Sequence, residues 1–154
     1  MKKLVLIIGV PGTGKSTLAK KIVRTMTNRD QLFVHRETDE YFTDTFGNYM
    51  FDPTKLGEYH ALCQRMTEND LSNGIGVVVS NTNLTKWERA HYFDIARRTN
   101  ATVIITIMRK QYGNVHGISD EKLRQMQQKF EEVSSDEFVG LNVQFMDPDY
   151  FERR

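Results

Sequence analysis

Residues 9–17 read Gly-Val-Pro-Gly-Thr-Gly-Lys-Ser-Thr, set between an apolar run and a helical pattern. The stretch fits G-x-x-x-x-G-K-[ST], whose backbone N–H groups wrap a nucleotide's phosphates. The lysine neutralises the β and γ oxygens and the hydroxyl ligates Mg²⁺. ATP and Mg²⁺ are thus the expected ligands. Gly12, Thr13, Gly14, Lys15, Ser16 and Thr17 are the expected phosphate contacts, with Lys15 also a catalytic charge and Ser16 the direct metal ligand. Residues 4–8 before the loop are continuously apolar, as in a parallel strand buried on both faces. After it Leu18, Ile22, Val23 and Met26 recur at helical spacing.

The alternation of strand and helix then repeats. Residues 32–34 predict a second strand, followed by the aromatic and acidic stretch HRETDEYFTDTFGNYMFDP, expected to form turns and a short helix. Asp52-Pro53 is a cap followed by proline at the first helical position. It opens a helix with Leu56, Tyr59, Leu62, Cys63 and Met66 on one face, which Asn73-Gly74 ends. Residues 75–79 predict another strand, and Thr85 to Glu88 a capping box for a helix with Trp87, Ala90, Phe93 (or Ile95) and Ala96 facing inward. A strand over 102–108, a helix over 119–132, a fifth strand over 143–146 and a polar, aromatic tail complete the chain. Such alternation predicts an α/β fold with four to five parallel strands and helices on both faces, in a single domain over 1–154.

With 154 residues, 39% hydrophobic and 27% charged, the chain suffices for one soluble core. Its single cysteine, Cys63, excludes an intramolecular disulfide, and no stretch reads as a signal peptide or membrane span. A cytoplasmic protein without membrane partners is expected. A net charge of +1 gives no global basic field, so a nucleic acid would need a local patch. His35, His60, Cys63 and His91 have spacings that make no closed metal-ligand set.

Ligands of parallel sheets bind at the carboxyl ends of the strands, which selects the segments after each strand. After the second strand stands Asp39, placed to accept a proton from a substrate hydroxyl, to hold Mg²⁺ through water, or to cap a turn. Glu40 and Glu37 are its weaker rivals, and Arg36 beside them is a candidate acceptor contact. The third tip, Ser80-Asn81-Thr82-Asn83, has no carboxylate. Asn81, Thr82 and Asn83 are candidate acceptor contacts, Asn81 and Thr82 could also hydrogen-bond a metal-bound water, and all three residue types are ordinary in turns and caps. The fourth tip carries Arg109, Lys110 and His116. Arg109 is a catalytic candidate, His116 a substrate contact, and residues 109–118 an expected lid.

Three further blocks carry a resemblance. MKKLVLIIGVPGTGKSTLAKKI, then TDEYF, then VVVSNTNLTKWERAHYFDIAR resembles in order and spacing the kinase domain of bacteriophage polynucleotide kinase and its small P-loop relatives. GNYMFDPTKL and NVHGISDEKL are similar to small stand-alone polynucleotide-kinase-like ATP-binding proteins, and the likeness covers residues 1–132. It implies the P-loop NTPase fold of the kinase type and ATP-dependent phosphorylation of a 5′-hydroxyl end, with Asp39 matching the general base. The chain departs from that pattern in having Phe42 and Asn81 where the phage enzyme has Arg and Asp, and no clean equivalent of the lid Arg, a place Arg109 or Lys110 would take. The acceptor therefore stays open between a nucleic-acid 5′ end and a small molecule (nucleoside, nucleotide or sugar alcohol), with an ATP-binding regulatory module as the third possibility.

Overall fold

In a computed structural model of the chain, which describes residues 2–110 and 117–152, five strands form one sheet: β1 (Lys3–Ile8), β2 (Phe33–Arg36), β3 (Gly76–Val79), β4 (Thr102–Ile107) and β5 (Val143–Phe145). Their spatial order is β2-β3-β1-β4-β5, and every neighbouring pair is parallel. The helices between them are α1 (Lys15–Met26), α2 (Leu56–Ser72), α3 (Lys86–Thr99), α4 (Asp120–Lys129) and α5 (Pro148–Glu152).

Side chains alternate across a strand, so the apolar run of β1 feeds two cores. Leu4, Leu6 and Ile8 pack with Val77, Val79, Val103 and Ile105 against Leu71 of α2 and Tyr92, Phe93, Ile95 and Ala96 of α3. Val5 and Ile7 pack with Val78 and Ile104 against Leu18, Ala19 and Ile22 of α1. Each of these β1 side chains is fully buried, and burying one aliphatic side chain contributes about 1.5–3 kcal/mol. Asp52 caps the 3₁₀ turn Pro53–Lys55 that leads into α2 by accepting from the Thr54 N–H, with Pro53 at its first position.

Several expectations are corrected. The second strand runs one residue later and longer, and Leu32 is exposed. On α3, Trp87 and Ala90 face outward, and the buried stripe is Arg89, Tyr92, Phe93, Ile95, Ala96 and Thr99. Arg89 goes inside because its guanidinium finds acceptors there: the carbonyls of Asn83 and Leu84, and Glu137. On α2 the buried stripe is Cys63, Thr67, Asp70 and Leu71, and Asp70 is tolerated there through Arg36. The aromatic tail is part of the fold, since Phe151 of α5 packs into the core beneath α1. Among the described residues, no helix is long and apolar enough to cross a membrane.

Candidate active site

β1 lies at the centre of the sheet and delivers the glycine-rich loop to its carboxyl edge, between the tips of β3 and β4. Gly12 and Gly14 have φ of 85° and 86°, the left-handed region that a side chain disfavours, and so let the loop curl back on itself. A Cβ on Gly9 would come within 2.8 Å of the Met108 carbonyl oxygen, so the tip of β4 rests on the loop entrance. Thr13 Oγ1 donates to the Val10 carbonyl at 2.8 Å, and Lys15 Nζ donates to the same oxygen at 2.9 Å. No side chain caps the amino end of α1, which leaves its first N–H groups facing the loop, while Thr17 is exposed on that turn. This donor set of backbone N–H groups, an ammonium and a hydroxyl fits nucleotide phosphates with an oxygen-seeking Mg²⁺ at Ser16. Burial pulls the Lys15 ammonium down to about 8, against the opposing pull of the Glu37 and Asp39 carboxylates.

The end of β2 supplies those acids. Glu37 Oε2 accepts from Ser16 Oγ at 2.7 Å and from Ser80 Oγ at 2.8 Å. Asp39 lies in a 3₁₀ turn, Thr38–Phe42, and receives the Tyr49 hydroxyl on Oδ1 at 3.4 Å. Burial and the Asp39 charge push the Tyr49 hydroxyl up to about 12. The turn is pinned by Asn81, whose Oδ1 accepts from the Thr38 N–H at 2.7 Å, and by Thr38 Oγ1 at 2.9 Å from His60 Nδ1. Around it Phe42 is buried, with ring centroids of Tyr59, Phe51 and Tyr49 at 4.7, 5.0 and 6.3 Å.

The fold thus brings Lys15, Ser16, Glu37 and Asp39 together. The third tip reaches the loop by backbone, with Gly9 N–H donating to the Thr82 carbonyl at 3.2 Å. The Asn81 amide is engaged within the protein, its Nδ2 donating to Tyr92 Oη at 3.1 Å. Asn83 is buried in the left-handed region, at φ 46°. Arg36 turns toward α2, where it forks onto Asp70 at 2.8 and 3.3 Å and lies 3.7 Å from Glu40. Arg109 forks onto Glu132 at 3.1 and 3.0 Å and stacks over the Phe130 ring. His116 and the middle of the expected lid, 111–116, lie outside the described residues. Among the described residues, no group of three or more His, Cys, Asp and Glu could hold a metal.

In the sequence Glu37 stands behind Asp39 as a candidate, although strand alternation carries a signal for it. Alternation puts His35 and Glu37 on one side of the extended chain, pointing together at whatever ends the neighbouring strand. That neighbour is Ser80.

The family described as an AAA domain matches residues 4–133. Human NEDD4-binding protein 2 is 32% identical over 142 residues, or 86% of this chain, and the chain spans 8% of that protein's length. Among solved structures, Kti12 of Chaetomium thermophilum in complex with ADP-AlF3 superposes with a TM-score of 0.66 at 12% identity, covering 92% of this chain and 88% of its own. The APS kinase CysC of Mycobacterium tuberculosis in complex with AMPPNP and APS gives 0.59 at 14% identity, covering 96% and 89%. At these identities the two structures speak to the fold, and they share it at nearly full length. With its parallel five-stranded sheet and its glycine-rich loop at the end of β1, the chain belongs to the AAA domain family and has the P-loop kinase-like fold.

Proposed function

We propose that this protein transfers the γ-phosphoryl group of ATP to a hydroxyl, and that the acceptor is the 5′-hydroxyl end of a nucleic acid. One observation carries the reading: Asp39 sits on the 3₁₀ turn after β2 that Asn81 pins, two residues beyond Glu37, which bonds Ser16 of the phosphate loop. Lys15 would pair with the phosphates and Ser16 would hold Mg²⁺, which when bound supplies positive charge to the β and γ oxygens. Asp39 takes the acceptor's proton as the new O–P bond forms and the bond from Pγ to the ADP oxygen breaks. The acceptor side is an aromatic hairpin over 43–51, closed by the antiparallel bridge of Thr43 with Tyr49, and Tyr49 ties it to Asp39. Phe46, Met50 and Phe51 on it are 89%, 67% and 50% exposed, which suits a flat base better than water. The likeness to a kinase solved with AMPPNP supports ATP as the donor.

Asp39→Asn tests this assignment, because the amide keeps the shape and removes the base. Transfer to a 5′-hydroxyl oligonucleotide is expected to fall about a hundredfold or more with ATP affinity retained. Unchanged transfer would contradict the role of Asp39.

A further inference from the structure

We propose that Glu37 is the carboxylate of the metal site, orienting the Ser16 hydroxyl for Mg²⁺ in place of an acid that β3 lacks. The inference rests on the phosphate loop being the nucleotide site. In P-loop NTPases the loop hydroxyl shares the metal with an acidic residue. The tip of β3 offers Ser80, Asn81, Thr82 and Asn83, with no carboxylate among them. The neighbouring strand supplies one. Arg36 of β2 pairs with Val79 of β3, so the next residues, Glu37 and Ser80, meet, and their side chains bond at 2.8 Å.

Ser16 then has little freedom. A hydroxyl has one proton and two lone pairs. Its proton goes to Glu37 at 2.7 Å, so what Ser16 can still present to a cation is a lone pair, the group a metal needs. Ser80 is similarly fixed: its proton goes to Glu37, so its 2.6 Å contact with His35 requires His35 to donate from Nε2. Glu37 is thereby held from two sides, through Ser80 on β3 and Ser16 on α1. Lys15 Nζ donates to the Val10 carbonyl, so the bonds that fix Glu37 come from hydroxyls and leave the ammonium for phosphate. The two acids divide the work: Asp39 faces the hairpin through Tyr49, and Glu37 faces the metal ligand.

Calorimetric titration with ADP, in Mg²⁺ and in EDTA, tests this without turnover. The wild-type protein is expected to bind ADP more tightly with Mg²⁺. Glu37→Gln should lose that enhancement by about tenfold or more, the cost of removing a metal site's supporting partner, while its affinity in EDTA holds or improves. Ser80→Ala, which keeps the acid and loosens it, should show a smaller loss in Mg²⁺ alone, and it decides the matter if Glu37→Gln lowers the thermal midpoint. A retained Mg²⁺ enhancement in the deciding variant, equal weakening in both buffers, or a wild-type affinity indifferent to Mg²⁺ would overturn the proposal. Lys15→Ala separates the two readings: it should weaken ADP in both buffers, and unchanged binding would count against the phosphate loop itself.

Discussion

Asn81 bridges two tips of the sheet through atoms forty-three positions apart in the chain. Its Oδ1 takes the Thr38 N–H and its Nδ2 reaches Tyr92 Oη. Asn81→Ala would strand the Thr38 N–H, while the Tyr92 hydroxyl keeps its bond to Cys63 Sγ, and a buried polar group left without its bond costs about 1–3 kcal/mol. Urea denaturation should show a loss of that size, and a loss near zero would return Asn81 to the acceptor-contact role its position first suggests. The contrast with Lys15 and Ser16 explains what the sequence discloses at this scale. Those two are fixed by local spacing within one loop, and Asp39 by its place after a strand. The partners of Asn81, Glu37 and Arg36 depend on which strands become neighbours, which no local pattern carries. Arg36 in particular reads as a candidate acceptor contact, and its pairing with Asp70 of α2 is a tertiary fact of this kind.

Among the elements, α3 separates most clearly what is local from what is tertiary. Thr85 accepts from the Glu88 N–H at 3.2 Å, as the capping box predicts. The inward face is different, because an apolar template assigns Trp87 to the core and Arg89 to solvent. Trp87 is 74% exposed, and Arg89 is fully buried on Glu137, whose side chain is 5% exposed. Periodicity could not find this, since Glu137 lies forty-eight residues on, in a 3₁₀ turn. Removing one member of a buried ion pair leaves the other without compensation, so Arg89→Ala should destabilise the protein by about 3–5 kcal/mol. Replacing Arg89 and Glu137 together by Met and Leu should cost much less. Denaturant midpoints of the three proteins check both statements, and a single-variant loss under about 1 kcal/mol would contradict the buried-pair assignment.

For the whole molecule, alternating strands and helices announce a parallel sheet, whereas the strand order does not follow from them. The order β2-β3-β1-β4-β5 is what places the phosphate loop between two tips and Glu37 beside Ser80. Cys63 reports on the integrity of that packing. It is fully buried between α2 and α3, and burial pushes its thiol above the ordinary range, so little thiolate forms near neutral pH. A thiol reagent at pH 8 should label it only at the rate of opening, and raising the pH through the usual cysteine range should not accelerate labelling as it does for a free thiol. Fast labelling in the absence of denaturant would mean that the two helices part readily. The proposed transfer of phosphate from ATP to a nucleic-acid end is tested by supplying γ-labelled ATP and Mg²⁺ with a mixture of 5′-hydroxyl oligonucleotides, nucleosides, nucleotides and sugar alcohols. Label at the oligonucleotide 5′ end is the expected result. Label confined to a small molecule, or on no acceptor at all, would contradict it.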